Sequence, residues 1–225
     1  MAPEPPHAHV RRVEEIPRVL AAAAVLAVTS WIATRDIPGA EQLVFEFVNR
    51  QPGWLEWVLW APMQLGSLFG PVVVAALAWW RWRRWRPAVG AVVAGVVAWQ
   101  LAKVVKDRIG RGRPLDELTD VVRRAGTPTD GLGFVSGHSA VAFALATVVS
   151  PYLSRRGRAG AYLLAAVVGL ARIHVGAHLP LDVVGGAALG CLVGYLWRLA
   201  VGVPADEPDE PDGVDPPMAA TPPGE

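Results

Sequence analysis

Charge is scarce in this chain of 225 residues. Lys, Arg, Asp and Glu together make up 18% of it, against about 25% in an average soluble domain. With 52% hydrophobic residues and a mean hydropathy of +0.32, that deficit argues against a soluble domain and for an integral membrane protein. Cysteine is nearly absent. The single Cys191 lies within an apolar run, which excludes a disulfide framework and reads as a small buried hydrophobe. The first apolar run lacks a small-x-small cleavage site, so it reads as a membrane span and not as a cleaved signal peptide. A His-Glu-x-x-His protease motif is also missing. The net charge of +1 says little about partners, because basic residues group in a few loops and acidic residues at the C-terminus.

What is abundant is apolar sequence in blocks, with ten tryptophans. Most of these sit near block ends, as an interfacial belt would. Residues 1–15 are polar and read as a disordered arm, whose His7 and His9 are exposed tail histidines. The blocks predict six spans, near 17–34, 60–80, 87–105, 138–153, 159–175 and 181–203. The first is close to the lower limit of the roughly 20 residues that cross a hydrocarbon core. Residues 35–53 are mixed and suggest a short amphipathic surface helix; residues 54–60 would lie in the interface ahead of the second span. Residues 204–225 hold seven prolines and seven acidic residues and read as a disordered tail. The expected architecture is an all-α, six-transmembrane-helix bundle over 16–203.

Topology follows from the basic loops. Residues 81–86 carry four arginines, and Arg155, Arg156 and Arg158 form a second short cluster. Both loops should face the cytoplasm. Arg11, Arg12, Arg18 and Arg198 agree, so both termini are expected inside. The segments after spans one, three and five then lie outside. That places the polar stretches 106–114, 136–139 and 172–182 on one extracytoplasmic face of a multi-pass cell-membrane protein.

Lys106, Arg108, Arg111, Arg113, Arg172, His138, His174, His178 and Asp182 would gather there. Ionisable groups at a membrane boundary are functional candidates, and a cationic set of this kind suits a phosphate group. Gly137 at a helix start lets backbone N–H groups approach an anion, and Ser136 adds a hydroxyl while serving as N-cap. Asp182 could fix the tautomer of His178 and leave its other nitrogen to attack, while His138 protonates the leaving oxygen. The cations would stabilise the charge of the transferring group. This is phosphoryl transfer through a phosphohistidine, with no cofactor and no metal. A rival reading stays open. His174, His178 and Asp182 are spaced i, i+4, i+8 and on one helix would face one way, like metal ligands.

Lys106-x6-Arg113-Pro114, Ser136-Gly137-His138 and Arg172-x5-His178-x3-Asp182 together resemble the three-part signature of the type 2 phosphatidic acid phosphatase family. That family shares its site with vanadium-dependent haloperoxidases and bacterial acid phosphatases. The resemblance implies His178 as nucleophile, Asp182 as its orienting group and His138 as general acid. It implies Lys106, Arg113, Arg172, Ser136 and Gly137 as the phosphate cradle, and a reaction independent of magnesium. Val135 stands where the family usually has proline, and Ala171 where it usually has serine. The implied function is a membrane lipid phosphatase. Candidate substrates are phosphatidic acid, phosphatidylglycerol phosphate and undecaprenyl diphosphate; nucleic acid is not an expected partner. A lipid phosphotransferase and a non-catalytic lipid-binding or transport protein are the alternatives.

Overall fold

In the computed structural model, residues 9–10 and 13–205 are described. Most of the arm expected over 1–15 and nearly all of the tail expected over 204–225 lie outside the described residues. The described part of the arm is not all irregular. Helix α1 begins at Glu15, whose buried carboxylate pairs with Arg198 near the end of the last helix. His9–Val10 also pairs antiparallel with Val203–Pro204.

The helices are α1 (Glu15–Ala33), α2 (Gly39–Asn49), α3 (Leu55–Gln64), α4 (Phe69–Trp82), α5 (Trp85–Ile109), the single turn α6 (Pro114–Glu117), α7 (Gly137–Val149), α8 (Arg155–His174) and α9 (Pro180–Val201). Three helical stretches among the described residues are long and apolar enough to cross a membrane, starting at Glu15, Trp85 and Pro180. A bent pair, α3 with α4, would make a fourth.

The expected second span is therefore not a single helix. It breaks after Gln64 and turns by 66° before resuming at Phe69. Pro62 sits inside α3, and Pro71, in the first turn of α4, has no N–H to give to a continuing helix. The fourth block yields only the 13 residues of α7, prolonged by a 3-10 turn over Ser150–Tyr152. That is about 20 Å of helix, short of a hydrocarbon core. Ten of the 13 residues are buried, so α7 is surrounded largely by protein. The fifth block gives α8, a 20-residue helix whose arginines at both ends keep it below the hydropathy of a free-standing span. The mixed segment 35–53 does form a helix, α2.

The core is built on the seam between α7 and α9. Gly186, Gly190 and Gly194 are four apart and make a stripe along α9, with no side chains to hold α7 away. A Cβ at Gly190 would collide with the Ala140 carbonyl oxygen and stand 2.8 Å from the Ala144 nitrogen. At Gly194 it would meet Thr147 Cβ at 2.5 Å. Phe134, Val135, Ala140, Ala144, Val148, Leu189 and Val193 fill the buried cluster around this seam, with Ala94, Ala98 and Ala102 of α5 closing its other side.

The two ends of the bundle differ in chemistry. Trp82 packs on Tyr152 with ring centroids 5.6 Å apart, and Arg198 reaches Ser150 Oγ at 3.3 Å. The basic loops at 81–86 and 155–158 therefore share one end with Glu15 and Arg198. The C-terminal ends of α5 and α8 and the N-terminal ends of α7 and α9 form the other end, and the signature residues are there.

Candidate active site

The site begins with a tight return between α8 and α9. Helix α8 stops at His174, and the chain reverses through Gly176, whose φ of +83° suits glycine. A Cβ there would also stand 2.9 Å from the Val122 carbonyl oxygen. The backbone N–H groups of Ala177 and His178 both donate to the Arg172 carbonyl, at 3.0 and 3.2 Å. This folds His178 back beside Arg172. Pro180 then opens α9, with the Asp182 carboxylate reaching back to accept from Leu179 N at 2.9 Å. The same Oδ2 lies 3.4 Å from His178 Nδ1. Asp182 is 0% exposed and His178 3%.

Helix α7 brings the second histidine. Ser136 is the N-cap; its N–H donates to the Asp182 carbonyl at 2.8 Å, which ties the start of α7 to the start of α9. Its Oγ accepts from Ser139 Oγ at 3.0 Å, so its own proton is left to donate elsewhere. Among the described residues the His138 ring makes no hydrogen bond with protein. Gly66, at the break between α3 and α4, lies under this turn, where a Cβ would come within 2.8 Å of His138 Cβ.

Three cations surround the histidines. Lys106 Nζ donates to the carbonyls of Leu132 and Gly133 at 2.8 and 2.7 Å. Arg113 donates to the carbonyls of Asp130 and Ala177 at 2.9 and 3.0 Å. Arg172 donates to the Gly126 carbonyl at 3.1 Å and contacts Met63 Sδ at 3.4 Å, while its buried Nε has no protein partner. Carbonyls hold all three cations without neutralising them. Burial first, and then the combined charge of the three cations, keeps the His178 imidazole well below its ordinary pKa and therefore neutral; the Gly133 carbonyl opposes this only in part. A neutral ring is the form that can attack.

Two further cations expected at this face are at this end of the bundle but outside the ring of cations around the histidines. Arg108 is exposed on the last turn of α5. Arg111 is buried behind Asp182, donating to its Oδ1 at 3.1 Å and to both Glu41 oxygens at 3.2 and 2.6 Å. His174 also leaves the constellation. Its Nδ1 is 3.2 Å from the Val48 carbonyl of α2, and α8 ends at His174 itself. His174, His178 and Asp182 thus do not share a helix face, and among the described residues no cluster of His, Cys, Asp or Glu is arranged to hold a metal.

Sequence reasoning missed the long-range supports. Asn49, fully buried at the end of α2, donates to the carbonyls of Val122 and His174 at 2.9 and 3.0 Å and accepts from Val122 N at 2.8 Å. Arg124 donates to the Asn49 and His174 carbonyls, and Thr127 to the Val175 carbonyl. Together they bind the 118–127 loop, and with it the Gly126 partner of Arg172, to the α8–α9 return. Asn49→Ala leaves these backbone groups unpaired. It is expected to cost about 2 kcal/mol of stability, read as a lowered thermal midpoint in detergent, and to raise KM severalfold as Arg172 loosens. An unchanged midpoint would remove Asn49 from this account.

Fold and site together define an apolar helical bundle with three cations and two imidazoles gathered at one end. The sequence profile of the PAP2 superfamily matches residues 66–203. A phosphatidylglycerophosphatase B from Bacillus subtilis (strain 168) is 29% identical over 191 residues, covering 77% of this chain and 89% of that protein. Two crystal structures share the fold. One is a transmembrane PAP2-type phosphatidylglycerolphosphate phosphatase from Bacillus subtilis (TM-score 0.58, 23% identity, 83% of this chain and 95% of that one). The other is LpxE of Aquifex aeolicus (TM-score 0.59, 26% identity, 69% of this chain and 93% of that one). The chain belongs to the PAP2 superfamily, and it is a membrane-associated hydrolase of phosphate monoesters.

Proposed function

We propose that this protein removes the terminal phosphate of a membrane lipid through a phosphohistidine. The observation that carries the reading is the convergence of His178, His138, Lys106, Arg113 and Arg172 at one end of an apolar bundle. Asp182 on the Nδ1 side of His178 leaves Nε2 as the attacking nitrogen. Nε2 forms a bond to phosphorus as the P–O bond to the lipid breaks, and His138 gives a proton to the departing oxygen. A water then attacks phosphorus, returning a proton to His138. The N–P bond breaks, releasing orthophosphate and neutral His178. The three cations, with the Ser136 hydroxyl and the Gly137 backbone, hold the phosphoryl oxygens throughout.

The membrane arrangement belongs to the same proposal. The chain crosses six times with both termini cytoplasmic, α7 and α8 crossing within the protein. The site then faces the outer leaflet at headgroup level. The two-ended charge distribution supports this, because the arginine loops occupy the end opposite the site. Exposed valines of α4 and α5, such as Val72, Val73, Val96 and Val97, offer an apolar surface to lipid tails. An apolar cavity of about 90 Å³ runs between α4, α7 and α8, from Leu65 beside Gly66 to Val149. The substrate class is glycerolipid or polyprenyl phosphate, with phosphatidic acid, phosphatidylglycerol phosphate and undecaprenyl diphosphate as its members to test.

The test is phosphate release by the detergent-purified protein from those three lipids, with and without EDTA. The expected result is EDTA-insensitive release with one lipid preferred by about tenfold or more in kcat/KM, a discrimination of about 1.4 kcal/mol. Release abolished by EDTA would overturn the histidine mechanism. Phosphate moved to an acceptor alcohol in preference to water would make the protein a phosphotransferase.

A further inference from the structure

Glu41 lies on α2, outside the three signature segments and 70 residues before Arg111. It is nonetheless 9% exposed, beside Arg111 at 6% and Asp182 at 0%. The contacts form one chain of polar atoms. Glu41 grips the Arg111 guanidinium with both oxygens, Arg111 Nη1 donates to Asp182 Oδ1, and Asp182 Oδ2 faces His178 Nδ1. Glu41 Oε1 also accepts from Leu181 N at 2.8 Å, so Glu41 and Asp182 both cap the start of α9.

We infer that Glu41 and Arg111 are positioning residues for the Asp182–His178 pair, and that α2 is part of the catalytic apparatus through them. This rests on His178 being the nucleophile. A phosphorylated His178 ring carries positive charge, which Asp182 must offset from the Nδ1 side. Arg111, pressed on Asp182 from behind, competes for that negative charge. Glu41 supplies a second carboxylate that takes up the Arg111 charge and leaves Asp182 to the histidine. The trio Glu41, Arg111 and Asp182 then carries one net negative charge. It faces an imidazole that Lys106, Arg113, Arg172 and His138 surround on its other sides. Arg111 in turn fixes the Asp182 carboxylate plane, so that Oδ2 stays on His178 and on Leu179 N. The bidentate fork is what lets one side chain serve two carboxylates, a geometry lysine does not offer.

The test uses Glu41→Gln, Arg111→Gln and the double variant of the full chain in detergent, with His178→Ala alongside. The amide oxygen that Glu41→Gln introduces can still accept from Leu181 N, so the α9 cap is retained. Glu41→Gln is expected to lower kcat by 10- to 100-fold while KM moves less than threefold. Arg111→Gln is expected to lower kcat at least as far, and the double variant to match Arg111→Gln within threefold, because the charge that Glu41→Gln removes acts through Arg111 while the cap on Leu181 N is kept. The pH profile supplies a readout that a packing role would not move. Losing a negative charge shifts the acid limb of kcat/KM to lower pH in Glu41→Gln, and losing a positive charge shifts it to higher pH in Arg111→Gln. Wild-type kcat in Glu41→Gln, strictly additive losses in the double variant, or limbs displaced in the same direction would each overturn the inference. Where Arg111→Gln does not assemble, Arg111→Lys replaces it. This substitution keeps the charge and loses the fork, with a kcat loss of about tenfold expected and wild-type kcat again overturning the inference. An active His178→Ala would instead sink the nucleophile assignment on which the inference stands, so the two failures are distinguishable.

Discussion

Replacing His178 with alanine is expected to lower kcat by about 10,000-fold or more, with the lipid still bound, if His178 is the nucleophile proposed above. That is the scale expected when the nucleophile of a covalent mechanism is removed and the surrounding binding groups remain. The reason lies in the division of labour at the site. Lys106, Arg113 and Arg172 hold their positions through the carbonyls of residues 126, 130, 132, 133 and 177, none of which is His178. The cradle therefore survives the substitution, and substrate KM should change by no more than a few-fold. Water would lack a general base for direct attack on the lipid phosphate, because in the proposed mechanism His138 becomes a base only after giving up its proton in the first step. The measurement is single-turnover release of labelled phosphate, paired with acid-quench and alkaline-quench trapping of the phosphoenzyme. An acid-labile, alkali-stable label on the wild type that vanishes in His178→Ala is the expected pair. Activity within tenfold of wild type would remove His178 from the mechanism.

Gly190→Val is expected to prevent the native fold from assembling, or to destabilise it by about 3 kcal/mol or more. A methyl group at residue 190 has no room against the Ala140 carbonyl, and that obstacle is backbone, not a side chain that can swing away. Helix α7 would have to retreat from α9 along its whole length. Ser136 N would then leave the Asp182 carbonyl, and the His138 turn would part from the His178 return. Stability and activity should therefore fall together. Thermal unfolding in detergent, with gel filtration to confirm a monodisperse protein, reads the first. Gly160→Ala on α8 is the control. Its new methyl meets nothing within 4 Å, and alanine is the better helix former by about 1 kcal/mol, so the midpoint should hold or rise. A Gly190→Val protein with a wild-type midpoint would mean that the α7–α9 seam is not close-packed.

The signature residues lie together at one end of the bundle, and they stand out in the sequence because their chemistry is scarce in an apolar chain. Lys106, Arg113, His138, Arg172, His178 and Asp182 each stand at the end of a hydrophobic block, and charge at such a boundary has few bland explanations. Scarcity alone did not separate the roles of Arg108, exposed at the end of α5, and Arg111, buried behind Asp182, since composition cannot say which way a side chain turns. His174 was ambiguous for a related reason: spacing of i, i+4 and i+8 describes one face only if the helix continues, and Gly176 ends it. The break between α3 and α4 was signalled by Pro62, Gly66, Gly70 and Pro71, but not its 66° angle or the placing of Gly66 beneath His138.

What the sequence by itself determined is the membrane character, the order of the helices and which scarce ionisable groups stand together at one end of the bundle. These rest on local hydropathy, on glycine and proline at turns, and on the rarity of ionisable groups among apolar residues. What only the tertiary structure decided is how those groups are held. Glu41 on α2 meets Arg111 across 70 residues, Asn49 meets Val122 across 73 and His174 across 125, and three glycines of α9 select the face that α7 occupies. No local pattern encodes such pairings, because a carboxylate or an amide on an amphipathic helix looks solvated until the fold buries it. Burial then leaves each of these polar groups a choice between a specific partner and a desolvation cost of about 1–3 kcal/mol or more, and that choice fixes the site.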